Sequence, residues 1–135
     1  MSLYEETLSQ GQNRRLAKTI LVIEDDASIG EMLIDALSDT TYQAFLVSNG
    51  QQALQVVHVI KPDLFITDYR LPKMNGIELY DRLHAQQDLA DTPAIIISAY
   101  LPKEEVKKRN LVSLEKPFEL DELISTVEQL IEHNS

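Results

Sequence analysis

One apolar run, Ile20-Leu21-Val22-Ile23, ends on three acidic residues, Glu24, Asp25 and Asp26. A second, Leu64-Phe65-Ile66-Thr67, ends on Asp68, and a third, residues 94–97, ends on the hydroxyl of Ser98. Further on, Leu114-Glu115 leads into Lys116-Pro117. Carboxylates, a hydroxyl and an ammonium make a set suited to a divalent cation and a phosphoryl group. Neighbouring carboxylates repel, a hard cation with oxygen ligands relieves that repulsion, and a lysine offers phosphate a point charge. Each piece alone has a plainer meaning. Glu24-Asp25-Asp26 is then a solvated turn with a helix cap, Asp68 a turn aspartate before Pro72, and Ser98 an ordinary strand-end serine. Lys116-Pro117 alone is uninformative. Only their meeting in space would make them a site.

Apolar runs of this length read as strands buried on both faces of a parallel sheet. In such sheets ligands bind beyond the carboxyl ends of the strands, where these side chains would converge. From Lys18 onward strand-like and helix-like segments alternate. Strand one spans Thr19–Ile23, and a helix starting at Ala27 or Ser28 carries Ile29, Met32, Leu33, Ala36 and Leu37 at helical spacing, with Asp26 as its cap. Strand two covers residues 42–47, and Asn49-Gly50 turns the chain into a helix with Ala53, Leu54 and Val57, ended by Lys61-Pro62-Asp63. Strand three is residues 64–67, followed by a loop to Gly76 and a helix with Ile77, Leu79, Tyr80 and Leu83. Thr92-Pro93 opens strand four at 94–97, and a short charged segment, 103–109, precedes strand five at 111–114. The last helix begins near Glu119 and is expected to bury Leu120, Leu123, Ile124, Val127, Leu130 and Ile131. Five βα units with right-handed crossovers make a doubly wound α/β fold.

The 135 residues suffice for one domain, at 17–135. Residues 1–16 are polar and read as an N-terminal tail, helical around residues 3–8, or as the remnant of a longer protein. With no cysteine there is neither a disulfide framework nor a thiolate site. A formal charge of −10, from 12 basic and 22 acidic residues, argues against gripping nucleic acid. No run is long enough to span a membrane or to act as a signal peptide, so a cytoplasmic location is expected. His58, His84 and His133 lack ligand spacing and read as surface or interfacial; Lys107-Lys108-Arg109 reads as a solvated face, with a docking patch for an acidic partner as the alternative. Tyr69 and Tyr100 flank the expected pocket, as gates or as rim packing.

Together the pieces Ile20 to Asp26, Ile66-Thr67-Asp68 through Asn75-Gly76, Ile97-Ser98-Ala99 and Glu115-Lys116-Pro117-Phe118 resemble the receiver domain of bacterial response regulators. The likeness covers nearly all of residues 18–133. It implies a flavodoxin-like parallel sheet of order 2-1-3-4-5, and a phosphoryl group passed from a histidine kinase, or a phosphotransfer protein, to Asp68. It further implies Mg²⁺ held by Asp25, by Glu24 through water, by an Asp68 oxygen and by the backbone carbonyl of Arg70. Lys116 would pair with Asp68 and then with the phosphate, Ser98 would donate to a phosphoryl oxygen, and Ala99 would leave room for the donor. A cis Pro117 would direct Lys116. The expected partners are that kinase, a downstream output domain or protein, and a second copy in a homodimer, without direct nucleic-acid or membrane binding.

The chain departs from the family pattern between Ser98 and Lys116, a stretch shorter than usual, so helix four is expected to be short, irregular or mobile. Ser113 stands where many relatives carry an aromatic residue. Both changes fall on the face that many members use for output, so a partner mode relying on helix one or helix five is expected. Two other functions stay open. One is a metal-dependent aspartyl-nucleophile phosphatase, although such enzymes place an aspartate where Arg70 stands. The other is a receiver-like interaction domain that is not phosphorylated. Otherwise the chain is a phosphoacceptor that assists its own chemistry rather than an enzyme.

Overall fold

Successive residues on a strand face opposite ways, and in the central strands of this chain both directions are apolar. The structure, a computed structural model, describes residues 17–133. The expected tail at 1–16, with its helical stretch at 3–8, lies outside the described residues. The strands are β1 (Thr19–Ile23), β2 (Gln43–Val47), β3 (Leu64–Asp68), β4 (Ala94–Ser98) and β5 (Val112–Glu115), all parallel in the order β2-β1-β3-β4-β5. The helices are α1 (Ala27–Ser38), α2 (Gly50–Val56), α3 (Gly76–His84), α4 (Lys103–Lys108) and α5 (Leu120–His133). This is the flavodoxin-like doubly wound fold, as expected.

One face of the sheet, through Ile20, Val22, Leu64, Ile66, Ile95 and Ile97, packs on Leu33 and Leu37 of α1 and Leu123, Val127 and Ile131 of α5. The opposite face, through Leu21, Ile23 and Phe65, packs on Ala53 and Val57 at α2 and Leu79 and Leu83 of α3. Each fully buried Leu or Ile in these layers contributes on the order of 1.5–3 kcal/mol by leaving water. Side-chain caps start the helices. Asp26 accepts from the Ile29 N–H at 3.0 Å, Asn49 from Gln52 at 2.8 Å and Asn75 from Glu78 at 2.9 Å.

Several boundaries differ from the expected ones. Strand two begins at Gln43 because the Tyr42 N–H donates to the Thr40 hydroxyl, 3.1 Å away, and stays in the turn. Strand five is displaced by one residue, since the Leu111 N–H turns back to the Val106 carbonyl at 3.0 Å. Strands three and four each run one residue further, to Asp68 and Ser98. Leu120, expected in the core, is 37% exposed; the stripe of α5 that faces the sheet runs through Leu123, Val127 and Ile131, and the first turn extends past it to lie beside Met32.

Helix four is a short helix of six residues, as expected. Lys107 and Lys108 are exposed, but Arg109 is not part of a solvated face. Its side chain is 22% exposed and joins α4 to α3 through Asp81. His84 is half-buried rather than superficial. It stacks on Tyr80 with ring centroids 3.8 Å apart, and its ring nitrogens face the Tyr80 and Thr92 carbonyls.

Candidate functional site

The period of the strands decides which side chains meet. Ile23 is level with Thr67, so Glu24 and Asp68, the next residues, lie side by side and continue the face of Val22 and Ile66. Leu114 is level with Ile97 on that same face, and two residues on from it comes Lys116. The ladder continues past the strands and holds these positions. The Glu24 N–H donates to the Val47 carbonyl at 3.0 Å, Tyr69 to Ile97 at 2.8 Å, and Lys116 to Ser98 at 2.9 Å.

Carboxylate oxygens of Glu24, Asp25 and Asp68 all lie within 4.8 Å of one another. The Lys116 ammonium is 3.5 Å from an Asp68 oxygen. Glu24 and Asp68 are buried, whereas Asp25 is exposed. Burial first, and then the Asp68 charge, push the Glu24 carboxyl up to about 7, against the opposing pull of the Asp26 N–H and Lys116. Burial also raises Asp68, while Lys116 draws it back down. Two buried carboxylates and the exposed Asp25 thus share one ammonium, a donor set of hard oxygens with unbalanced negative charge. That fits a hard divalent cation.

Beside the carboxylates lies a cavity of about 200 Å³ lined by Asp68, Arg70, Ser98, Ala99, Tyr100 and Lys116. It is several times the roughly 30 Å³ share of a water molecule, room enough for a phosphoryl group. Ser98 is engaged with its own turn: its hydroxyl donates to the Tyr100 carbonyl at 2.9 Å and accepts from the Tyr100 N–H at 3.0 Å. Tyr100 is 78% exposed at the rim, whereas Tyr69 packs against Ile77, Ile96 and Val106. The Lys116-Pro117 bond is cis. Asp26 points to α1 as its cap, away from the other acids.

A family model for the response regulator receiver domain matches residues 20–128. The chain belongs to this family. Among relatives, the phosphate regulon transcriptional regulatory protein PhoB of Pseudomonas aeruginosa is 40% identical over 84 residues, 62% of this chain and 37% of that protein. Sporulation initiation phosphotransferase F of Bacillus subtilis is 31% identical across 83% of this chain and 92% of its own length. The chain spans only 53–59% of several other regulators that it matches. Among solved structures, the signal receiver domain of a signal transduction histidine kinase from Syntrophus aciditrophicus superposes with a TM-score of 0.78 at 30% identity, covering 87% of this chain and 92% of that one.

Every site position expected of a receiver thus lies at or just beyond the carboxyl ends of β1, β3, β4 and β5. From the sequence, Gly76 is only the end of the loop after strand three and part of the shared motif. A Cβ there would sit 2.6 Å from the Asp68 carbonyl oxygen, and its N–H donates to the Tyr69 carbonyl at 2.7 Å. The loop after β3 closes against the backbone of Asp68 because this residue has no side chain. Its place at the end of that loop gave no sign of the neighbour it approaches.

Proposed function

We propose that this receiver accepts a phosphoryl group on Asp68 from a phosphohistidine of a kinase or phosphotransfer protein. A carboxylate oxygen of Asp68 attacks phosphorus, the P–N bond breaks, and the departing imidazole nitrogen keeps the electron pair and takes up a proton. Lys116 orients the Asp68 carboxylate beforehand and offsets charge on the phosphoryl oxygens afterwards. Ser98 exchanges its bond to Tyr100 for one to a phosphoryl oxygen, shifting the loop after β4 between two arrangements. Ala99, at the cavity wall, leaves the donor a path. Glu24, Asp25 and Asp68, with the Arg70 carbonyl, would hold Mg²⁺, which when bound supplies Lewis-acid neutralisation of the transferring group.

The observation that carries this reading is the 3.5 Å approach of Lys116 to Asp68 within a cluster of three carboxylates. Such a domain works in the cytoplasm on a kinase and an output domain or protein. Among the described residues no helix is long and apolar enough to cross a membrane. Incubation with Mg²⁺ and a small acyl phosphate, followed by mass spectrometry, tests it. A single adduct that disappears in Asp68→Asn supports phosphoacceptance. Sustained turnover would favour a phosphatase, and no adduct an interaction domain that is not phosphorylated.

A further inference from the structure

Residues 40–60 contain no Asp, Glu, Lys or Arg, in a chain that is 25% charged and carries a formal −10. This stretch includes β2, which forms one edge of the sheet, and α2 beside it. The edge is apolar as well as uncharged: Phe45 is 40% and Leu46 38% exposed. Leu46 lies over Gly30 on the α1 side of the sheet, and Phe45, its neighbour on the strand, faces the other way. The Gln43 N–H and the Val47 carbonyl bond toward β1, so alternation turns the N–H and C=O groups of Ala44 and Leu46 outward. The other edge, β5, is shorter, ends on the exposed Glu115 and is followed by Lys116. Exposed edges are normally blunted by charge, by proline or by a bulge. β5 has that protection and β2 lacks it.

We propose that the β2 edge is a homodimer interface, where a second copy of this chain adds its own β2 antiparallel to the first. The strand is self-complementary about Phe45. A two-fold axis there places Ala44 opposite Leu46 of the second copy, each such pair exchanging both N–H···O bonds, and sets the two Phe45 rings side by side on one face. Elsewhere two copies of an acidic molecule repel; across this strip there is no charge to repel. Each copy carries a formal −10, so the association strengthens as salt screens the repulsion between the two molecules.

The test is sedimentation equilibrium of the full chain at protein concentrations up to about 1 mM, in salt from about 20 mM to about 500 mM. A monomer–dimer equilibrium whose dissociation constant falls several-fold with salt is expected. A monomer throughout, or a dimer weakened by salt, overturns the proposal. Ala44→Pro removes an outward N–H without breaking a bond to β1, and should abolish the dimer while leaving the circular dichroism spectrum unchanged. A dimer surviving in that folded variant would be a different one. Because the chain has no cysteine, single replacements give a second readout independent of that variant. Phe45→Cys lies on the axis, with Cβ atoms about 4.5–5.5 Å apart, and should cross-link rapidly on oxidation. Val59→Cys, at a position 85% exposed but off the strand, should not. Equal rates for the two would sink the β2 pairing.

Discussion

Arg109 grips Asp81 through two parallel hydrogen bonds, Nε to Oδ1 and Nη2 to Oδ2, both 2.7 Å, across 28 positions of sequence. The same guanidinium donates to the carboxylate and the backbone carbonyl of Glu105, one turn earlier in α4. A helix of six residues is too short to be stable on its own propensity, so its attachment to α3 must come from contacts of this kind and from Val106 in the core.

Arg109→Ala should therefore loosen α4 rather than unfold the domain. Amides of residues 103–108 should exchange faster, and the Arg109–Asp81 coupling energy in a double-mutant cycle should be about 0.5–1 kcal/mol, since the pair is partly solvated. The hydrogen bond to Arg109 holds the Asp81 carboxyl below its ordinary value. Its contribution is present above the ordinary carboxylate range and is lost as pH falls through the lowered value. Exchange at α4 that does not respond to Arg109→Ala would show that the ion pair does not hold the helix.

Glu24 makes stability depend on pH in the opposite sense. Its carboxyl is raised to about 7 in the fold, so between its ordinary value and that point the native state binds the proton more tightly than the unfolded chain. Metal-free protein should thus lose stability as pH rises from about 4.5 to about 7. Burial acts on Asp68 in the same direction. Urea titrations should show this slope in the parent chain and a flatter one in Glu24→Gln. Added Mg²⁺ should raise the midpoint most at the upper end of the window, because the ionised carboxylates bind the cation.

Gly76→Ala places a methyl group 2.6 Å from the Asp68 carbonyl oxygen, against backbone that cannot swing aside. A cost of about 1–3 kcal/mol in thermal or urea unfolding is expected, together with slower phosphorylation as Asp68 is pushed out of line. Gly30→Ala is the control, since its Cβ would meet only the end of the flexible, partly exposed Leu46 side chain. Equal losses in the two variants would show that the approach to Asp68 is not special.

Lys73 has φ 70°, in the left-handed region that side chains disfavour. It is exposed, between Pro72 and Met74 of the loop after β3. Lys73→Gly should stabilise the domain by about 0.5–1 kcal/mol in urea unfolding, because the relief of left-handed strain exceeds the extra freedom that glycine gives the unfolded chain. A loss of stability would show that the strain at Lys73 is smaller than the unfolded-state freedom and contacts that the substitution changes.

What the sequence by itself determined is the set of elements and the chemistry at their ends. Ile20 to Ile23, Leu64 to Thr67 and residues 94–97 read as buried strands, because runs this short and apolar in both directions fit a parallel sheet covered by helices on both sides. Glu24, Asp68 and Ser98 were legible because each follows such a run, whereas Lys116 was legible only through its place in the motif shared with the receiver family. Boundaries were less legible, since Thr40 holding Tyr42 and Val106 holding Leu111 are local bonds that no apolar pattern records. Asp63 was read as a helix terminator, yet its carboxylate accepts from the Thr19 N–H at 2.8 Å and ties β3 to β1 from below. Tertiary structure alone decided that Arg109 belongs to Asp81, that Gly76 lies on Asp68, and that Leu120 stays at the surface. Each depends on how packing brings elements together or folds a loop back on itself, and local propensity carries no trace of a neighbour that packing has yet to bring.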